Sequence, residues 1–254
     1  MLDAFLKQLK PAPSSVLLLD YDGTLAPFHV DRSRAYPYPG TVSILERIVQ
    51  SGRTKVIIIS GRPIVELQAL LAPTKNLEMW GTHGLERQLS DGSYSCARIN
   101  EQDAAILAKE QERIVATGLL SRAEIKLGGI AIHWRGLRPA EVLSVQALIR
   151  DDWTKLAEQS GLKLLEFEEG LELRVSRPDK GDAVRSILAD LEPSVPIAYM
   201  GDDLTDEDAF HVLRGRGLTV LVKTDYRETI ADAWIRPPQE LIDVLEQWLV
   251  SISG

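Results

Sequence analysis

Five short apolar runs limit the fold most strongly: residues 16–20 (VLLLD), 55–59 (KVIII), 77–81 (LEMWG), 196–200 (PIAYM) and 218–222 (LTVLV). They are rich in aliphatic and β-branched residues, are bounded by Gly, Asp or Ser, and show no polar alternation. Continuous runs of that length suit strands buried on both faces of a parallel sheet. Helix-period segments lie between them. Val42, Leu45, Ile48 and Val49 precede Gly52, Ile64, Leu67 and Leu71 follow Pro63, and Val184, Ile187, Leu188 and Leu191 follow Gly181. Proline at a helix start and glycine past a helix end mark the boundaries. Alternating strands and helices predict an open α/β sheet with right-handed crossovers.

The middle of the chain breaks this rhythm. RAEIKLGGIAIHWRGL is two strand-like runs joined at Gly128-Gly129, and KLLEFEEGLELRV offers a second hairpin around Glu169-Gly170. Between them Pro139 opens a helix with Val142, Val145, Ile149, Trp153 and Leu156 on one face, ended by Gly161. Antiparallel hairpins do not belong inside a parallel wound sheet, so residues 101–175 are expected to form an inserted α+β domain. Residues 1–100 and 176–254 then form the core, with hinges near 88–100 and 176–179. A chain of 254 residues is long for one core and short for two large domains, which fits this division.

In open α/β sheets the functional site lies beyond the carboxyl ends of the strands, and four polar clusters fall there. The first is Asp20-Tyr21-Asp22-Gly23-Thr24. Carboxylates two apart project together from an extended segment and place a nucleophile and a proton donor around one phosphoryl group. Asp-Gly after a strand is also ordinary turn chemistry. The second, Ser60-Gly61-Arg62-Pro63, opens a helix and joins a hydroxyl, a glycine amide and a helix N-terminus, the makings of an anion site, though the same residues serve as strand-to-helix punctuation. The third is Lys180, ahead of a helix, which neutralises phosphate charge or is simply a solvated lysine. The fourth, residues 201–208 (GDDLTDED), suits a hard, oxygen-liganded ion such as Mg²⁺. It also reads as a capping box of Thr205 with Asp208, so that Thr205 to Asp208 start a helix while Asp202 reaches the metal.

In this order the four clusters resemble the haloacid dehalogenase superfamily of phosphatases, whose motifs are DxDGT, a Ser or Thr after the second strand, a Lys and a GDDxTDE-like acidic run. The resemblance implies a Rossmannoid parallel core with an inserted C2-type α+β cap. It also implies Mg²⁺-dependent hydrolysis through an aspartyl-phosphate. Asp20 is the implied nucleophile and Asp22 the proton shuttle. Ser60, Gly61 and Lys180 are the implied phosphoryl contacts, and Arg62 is counted with Gly61 among the implied substrate-binding residues. The implied Mg²⁺ set is Asp20, the Asp22 carbonyl and Asp202, steadied by Asp203 and Asp206.

Further residues are similar to the trehalose-6-phosphate phosphatases: Gly81-Thr82-His83-Gly84-Leu85-Glu86, Glu124-Ile125-Lys126, His133-Trp134-Arg135 and Glu172-Leu173-Arg174. That likeness implies sugar contacts by Glu124, Lys126 and Glu172, with His83, Gly84, His133 and Arg135 in the substrate region. Glu124 and Lys126, like His133 and Arg135, are two apart on expected strands and so share a face, which solvated alternation explains equally well. Two departures stand out. Trp134 replaces a frequent Tyr and Val175 a frequent Pro, and both bear on sugar identity rather than on phosphoryl chemistry.

Composition narrows the partners. Thirty-seven acidic against 29 basic residues give a net charge of −8, which repels nucleic acid and anionic membranes at long range. Cys96 alone leaves no disulfide, no stretch reads as a membrane segment or signal peptide, and a cytoplasmic protein is expected. No apolar stripe is left over for an interface, so a monomer acting on a small sugar phosphate is expected. The competing expectations are a capped phosphatase for mannosyl-3-phosphoglycerate, sucrose phosphate or glucosylglycerol phosphate, a phosphosugar mutase, and a catalytically silent carbohydrate-binding or regulatory protein.

Overall fold

The computed structural model describes residues 1–253 apart from Pro73, Lys75, Asn76, Glu168 and Glu169. In chain order the elements begin with α1 (Leu2–Leu9), β1 (Ser15–Leu19), α2 (Thr41–Gln50), β2 (Thr54–Ile59), α3 (Ile64–Leu70), β3 (Glu78–Gly81), β4 (Glu86–Gln88) and β5 (Tyr94–Cys96). They continue through α4 (Glu101–Ala116), β6 (Ala123–Lys126), β7 (Gly129–His133), α5 (Pro139–Gln159), β8 (Leu162–Phe167) and β9 (Gly170–Val175). The chain closes with α6 (Lys180–Ala189), β10 (Ile197–Gly201), α7 (Glu207–Leu213), β11 (Leu218–Val222), β12 (Ala233–Ile235) and α8 (Gln239–Ser253). They divide into two compact units, residues 1–96 with 179–254, and residues 97–178.

The first unit is an eight-stranded sheet in the order β12-β11-β10-β1-β2-β3-β4-β5, parallel from β12 to β3. Side chains alternate between its faces. Leu17, Leu19, Val56, Ile58, Ala198 and Met200 pack with α1, α2, α3 and α8, while Val16, Leu18, Ile57, Ile59, Ile197 and Tyr199 pack with α6 and α7. Burial on both sides is why these strands are uninterrupted apolar runs. The sheet is not wholly parallel, because β4 and β5 extend one edge antiparallel. Glu86-Arg87-Gln88 and Tyr94-Ser95-Cys96 carry no apolar run, so the hydrophobic pattern gave no sign of them. Because β1 lies between β10 and β2, the loops after these three strands are neighbours.

The second unit is an antiparallel sheet, β6-β7-β9-β8, with α4 and α5 packed on it. Ile149 and Trp153 of α5 are fully buried with Ile130, Ile132, Leu171 and Leu173. The first hairpin turns at Leu127-Gly128 rather than at Gly128-Gly129, since Gly129 already pairs with Lys126 and with Arg174. In the second hairpin Glu169 lies outside the described residues. Among the described residues, no helix is long and apolar enough to cross a membrane.

Candidate active site

Asp20 follows β1 directly, with its amide bonded to the Met200 carbonyl at 2.9 Å, so the loops after β1 and β10 leave the sheet together. Its carboxylate is almost wholly buried, and Lys180 Nζ donates to Oδ1 at 2.8 Å. The same ammonium donates to Asp206 Oδ1 at 2.7 Å. Lys180 opens α6 rather than preceding it: Asp179 caps the helix by accepting from the Asp182 amide at 2.8 Å. The lysine is thus rooted in a rigid first turn, with 3 % of its surface exposed.

Asp206 uses both oxygens. Oδ1 also accepts from Tyr199 Oη at 2.6 Å, and Oδ2 accepts from the Asp202 and Asp203 amides, both at 3.0 Å. Four bonds account for a carboxylate's acceptor sites, so Asp206 shapes the loop after β10. A Cβ at Gly201 would lie 2.3 Å from its Cγ, so only glycine admits this side chain. Asp203 Oδ1 accepts from the Thr205 amide at 2.8 Å and its hydroxyl at 2.6 Å. The expected Thr205–Asp208 capping box is therefore absent. Thr205 is spent in a local turn, and α7 starts at Glu207 after Asp206, which makes no side-chain cap.

Oxygens of Asp20, Asp202 and Asp206 all lie within 4.8 Å of one another. Asp202 Oδ2 is buried with no hydrogen-bond partner, and Lys223 Nζ comes only to 3.9 Å. Burial pushes the Asp20 carboxyl up to about 8 against the pull of Lys180, with Asp206 and Asp203 raising it further. Burial, then Asp203, Asp20 and Asp206, hold Asp202 well above the usual range. For Lys180 burial works downward, yet Asp20 and Asp206 outweigh it and hold the ammonium well above its ordinary value. Clustered buried carboxylates with an orphaned oxygen fit a hard divalent cation, whose charge relieves their repulsion.

Asp22 points to a different partner. Both its oxygens face Arg62, with Nε to Oδ2 and Nη2 to Oδ1 at 2.7 Å each. Ser60 Oγ, buried after β2, accepts from the Arg62 amide at 3.2 Å, which leaves its own proton to donate. At the start of α3 the Ile64 amide donates to Glu86 Oε2 at 3.4 Å. His83 packs on Gly61, where a Cβ would sit 2.6 Å from Nε2. Thr82 and His83 have φ of 48° and 57°, a left-handed conformation that is an outlier for a β-branched residue. Glu86 holds that turn by accepting from Thr82 Oγ1 at 2.5 Å and from Tyr94 Oη at 3.0 Å, and Gly84 continues it at φ 107°.

In the second unit Glu124, Lys126, His133 and Glu172 share the sheet face opposite Ile130 and Ile132. Lys126 Nζ lies 3.2 Å from Glu172 Oε1 and 3.7 Å from Glu124 Oε1, and His133 Nε2 lies 3.0 Å from Glu124 Oε2. Gly129 makes room, since a Cβ there would approach Glu172 Oε1 to 3.2 Å. Arg135 departs from expectation. Strand β7 ends at His133, so the period-two argument does not reach Arg135, whose carbonyl accepts from Arg122 at 3.0 Å in the following turn.

Sequence reasoning missed Arg227 and gave Glu86 no role. Arg227 donates to the Asp202 carbonyl at 3.2 Å and the Asp203 carbonyl at 2.6 Å, and so holds the acidic loop from the far side. Neither residue lies at the end of an apolar run, and the one signal was the run Gly81 to Glu86, which ends on Glu86 itself.

The parallel sheet, with an Asp-x-Asp-Gly-Thr loop after a central strand and an acidic loop after the adjacent one, has a haloacid dehalogenase-like α/β fold. Within that class, the profile of the trehalose-phosphatase family matches residues 18–232, and the chain belongs to that family. It is 29% identical over 225 residues to a trehalose-phosphate phosphatase of Mycobacterium marinum, covering 83% of this chain and 54% of that one. The chain thus spans about half the length of the curated relatives it matches. Among solved structures it resembles the C-terminal domain of Candida albicans trehalose-6-phosphate phosphatase (TM-score 0.82, 20% identity, 98% of this chain and 96% of that one). It also resembles the C-terminal domain of the Candida albicans trehalose synthase regulatory protein (TM-score 0.74, 14% identity, 96% and 97%). At these identities the structural likeness concerns the fold.

Proposed function

We propose that the chain hydrolyses trehalose 6-phosphate to trehalose and phosphate, with Mg²⁺, through a phosphorylated Asp20. The observation that carries this reading is the buried quartet of Asp20, Lys180, Asp202 and Asp206 at the ends of β1 and β10. In the first half-reaction an Asp20 oxygen attacks phosphorus, the bond to the sugar oxygen breaks, and Asp22 gives that oxygen its proton. In the second, Asp22 takes a proton from water, which attacks phosphorus and returns Asp20 to a carboxylate. Ser60 and Gly61 donate to the phosphoryl oxygens, and Lys180 keeps a positive charge beside the nucleophile throughout.

Asp20, Asp202 and the Asp22 carbonyl would hold the Mg²⁺, with Asp203, Asp206 and Arg227 fixing the loop that presents Asp202. Bound there, the ion supplies positive charge that offsets repulsion between the carboxylates and the phosphate. Glu124, Lys126, His133 and Glu172 supply the mixed donors and acceptors that sugar hydroxyls need, and membership of the trehalose-phosphatase family favours trehalose 6-phosphate as the ester.

The test is phosphate release by the purified chain across a panel of sugar phosphates, with Mg²⁺ or chelator, beside Asp20→Asn. Release from trehalose 6-phosphate in excess of the other esters, lost in both controls, is expected. No metal-dependent release from any ester would remove the phosphatase reading. Preference for another ester would remove only the substrate.

A further inference from the structure

Arg62 is the least exposed cation of the first unit's site region, at 1 % of its surface, and its contacts account for most of its chemistry. Nε and Nη2 grip the two Asp22 oxygens at 2.7 Å each, while Nη1 donates to the Arg32 carbonyl at 3.0 Å and to Glu66 Oε2 at 3.1 Å. Glu66 is itself held by Arg32 Nη2 at 3.4 Å. The guanidinium lies 5.4 Å over the Tyr21 ring, and Tyr21 is pinned through its hydroxyl to the Ala35 carbonyl at 2.7 Å. A guanidinium has five N–H donors, and these contacts take four of them. Arg62 is therefore committed to its own unit, and its fork is aimed at Asp22 rather than into open space.

We propose that Arg62 is a positioning residue that fixes the Asp22 carboxylate for proton transfer, an inference that rests on the Asp20 and Asp22 roles given above. Asp22 is only partly buried, with its side chain 26 % exposed, and without a partner it would turn freely about its side-chain torsions. The reaction needs it twice in one orientation. Its O–H bond breaks as the sugar oxygen leaves phosphorus with the bonding pair, and the same carboxylate later takes a proton from water. Each Asp22 oxygen spends one lone pair on the guanidinium and keeps another for the proton in transit. A bidentate fork sets both position and plane, which the single point charge of a lysine does not.

The test compares kcat/KM, which reports the first half-reaction, for an alkyl ester (trehalose 6-phosphate) and an aryl ester (p-nitrophenyl phosphate) whose leaving group needs no proton. Asp22→Ala and Arg62→Lys are both expected to cost about 10² to 10³ for the alkyl ester, the scale of general acid catalysis, and about tenfold or less for the aryl ester. In an Asp22→Ala background, Arg62→Lys should add little further alkyl-selective loss. Equal losses on both esters, or a KM effect with the alkyl-to-aryl ratio unchanged, would overturn the inference and leave Arg62 a packing or substrate-contact residue. If Asp22→Ala itself fails to discriminate between the esters, the proton-shuttle reading falls and this inference falls with it. If Asp22→Ala discriminates and Arg62→Lys does not, only the inference falls. Should Arg62→Lys not fold, Glu66→Gln decides. It loosens the guanidinium from behind, so a lowered alkyl-to-aryl ratio supports the inference and an unchanged ratio overturns it.

Discussion

Replacing Lys180 by methionine keeps the length of the side chain and removes one charge from the centre of the site. The ammonium bonds Asp20 Oδ1 at 2.8 Å and Asp206 Oδ1 at 2.7 Å, with almost no solvent to replace it. Removing one partner of a buried ion pair costs about 3–5 kcal/mol, because the remaining charge is left uncompensated. Asp206 keeps Tyr199 and two backbone amides, so the burden falls mainly on Asp20, whose carboxylate keeps a long bond from Thr24 Oγ1 at 3.5 Å. Metal-free Lys180→Met should therefore be less stable to urea by about 3 kcal/mol or more. A cation binding the folded protein at about 100 times its Kd adds about 2.7 kcal/mol, so saturating Mg²⁺ should recover part of the loss. Activity should fall by about 10³ even at saturating Mg²⁺, since one lost charge stabiliser alone costs about 10² to 10³ in kcat. Equilibrium unfolding with and without Mg²⁺, read beside kcat, measures all three quantities. A stability loss under about 1 kcal/mol, the size of an exposed ion pair, would refute the buried-quartet reasoning. Activity within tenfold of the parent would refute the role of Lys180.

Three further outcomes follow from the geometry. Asp202→Asn removes a buried carboxylate that burial and its acidic neighbours oppose, so titration calorimetry should show Mg²⁺ binding lost while the metal-free protein melts no lower than the parent. Gly61→Ala would put a Cβ 2.6 Å from His83 Nε2, and the displaced imidazole should cost about 1–3 kcal/mol in thermal unfolding together with a loss of kcat/KM. Lys126→Met leaves Glu172 and Glu124 facing each other without their shared cation, so KM for trehalose 6-phosphate should rise about tenfold or more while p-nitrophenyl phosphate turnover changes little.

The sequence was legible where burial is two-sided. Residues 16–19, 56–59, 197–200 and 218–222 are buried on both faces of the sheet, so their apolar runs announced the strands, and the residues after the first three runs, Asp20, Ser60 and Gly201-Asp202, announced the site. It was less legible where polar atoms satisfy one another. Thr205 and Asp208 have capping-box spacing, but Asp203 is nearer to Thr205 in the chain and wins its amide and hydroxyl. The β4–β5 edge is built from Glu86, Arg87 and Tyr94, whose pairing depends on Glu78 and Glu86 as hydrogen-bond and ion-pair partners, and hydropathy does not register that. The Arg62 fork was unreadable for another reason. Its partners Asp22 and Arg32 lie 40 and 30 residues away in the chain, and only the neighbouring of β1 and β2 brings them together.

Likeness of fold does not decide between an enzyme and a silent relative, since one fold hosts many functions. The energetics of the site do bear on it. Asp20 and Asp202 are both buried, and burial and neighbouring carboxylates hold their carboxyls above the ordinary range, with Lys180 the chief cation opposing this for both. Apolar residues of similar volume in such places are often neutral or stabilising by about 1–4 kcal/mol, so packing gives no reason to keep these charges. A protein that only bound sugar through the Glu124, Lys126 and Glu172 face would have no use for them. Retaining the aspartates, the lysine between Asp20 and Asp206, and the glycines that admit Asp206 and His83 makes physical sense where a cation and a phosphoryl group occupy the site during turnover.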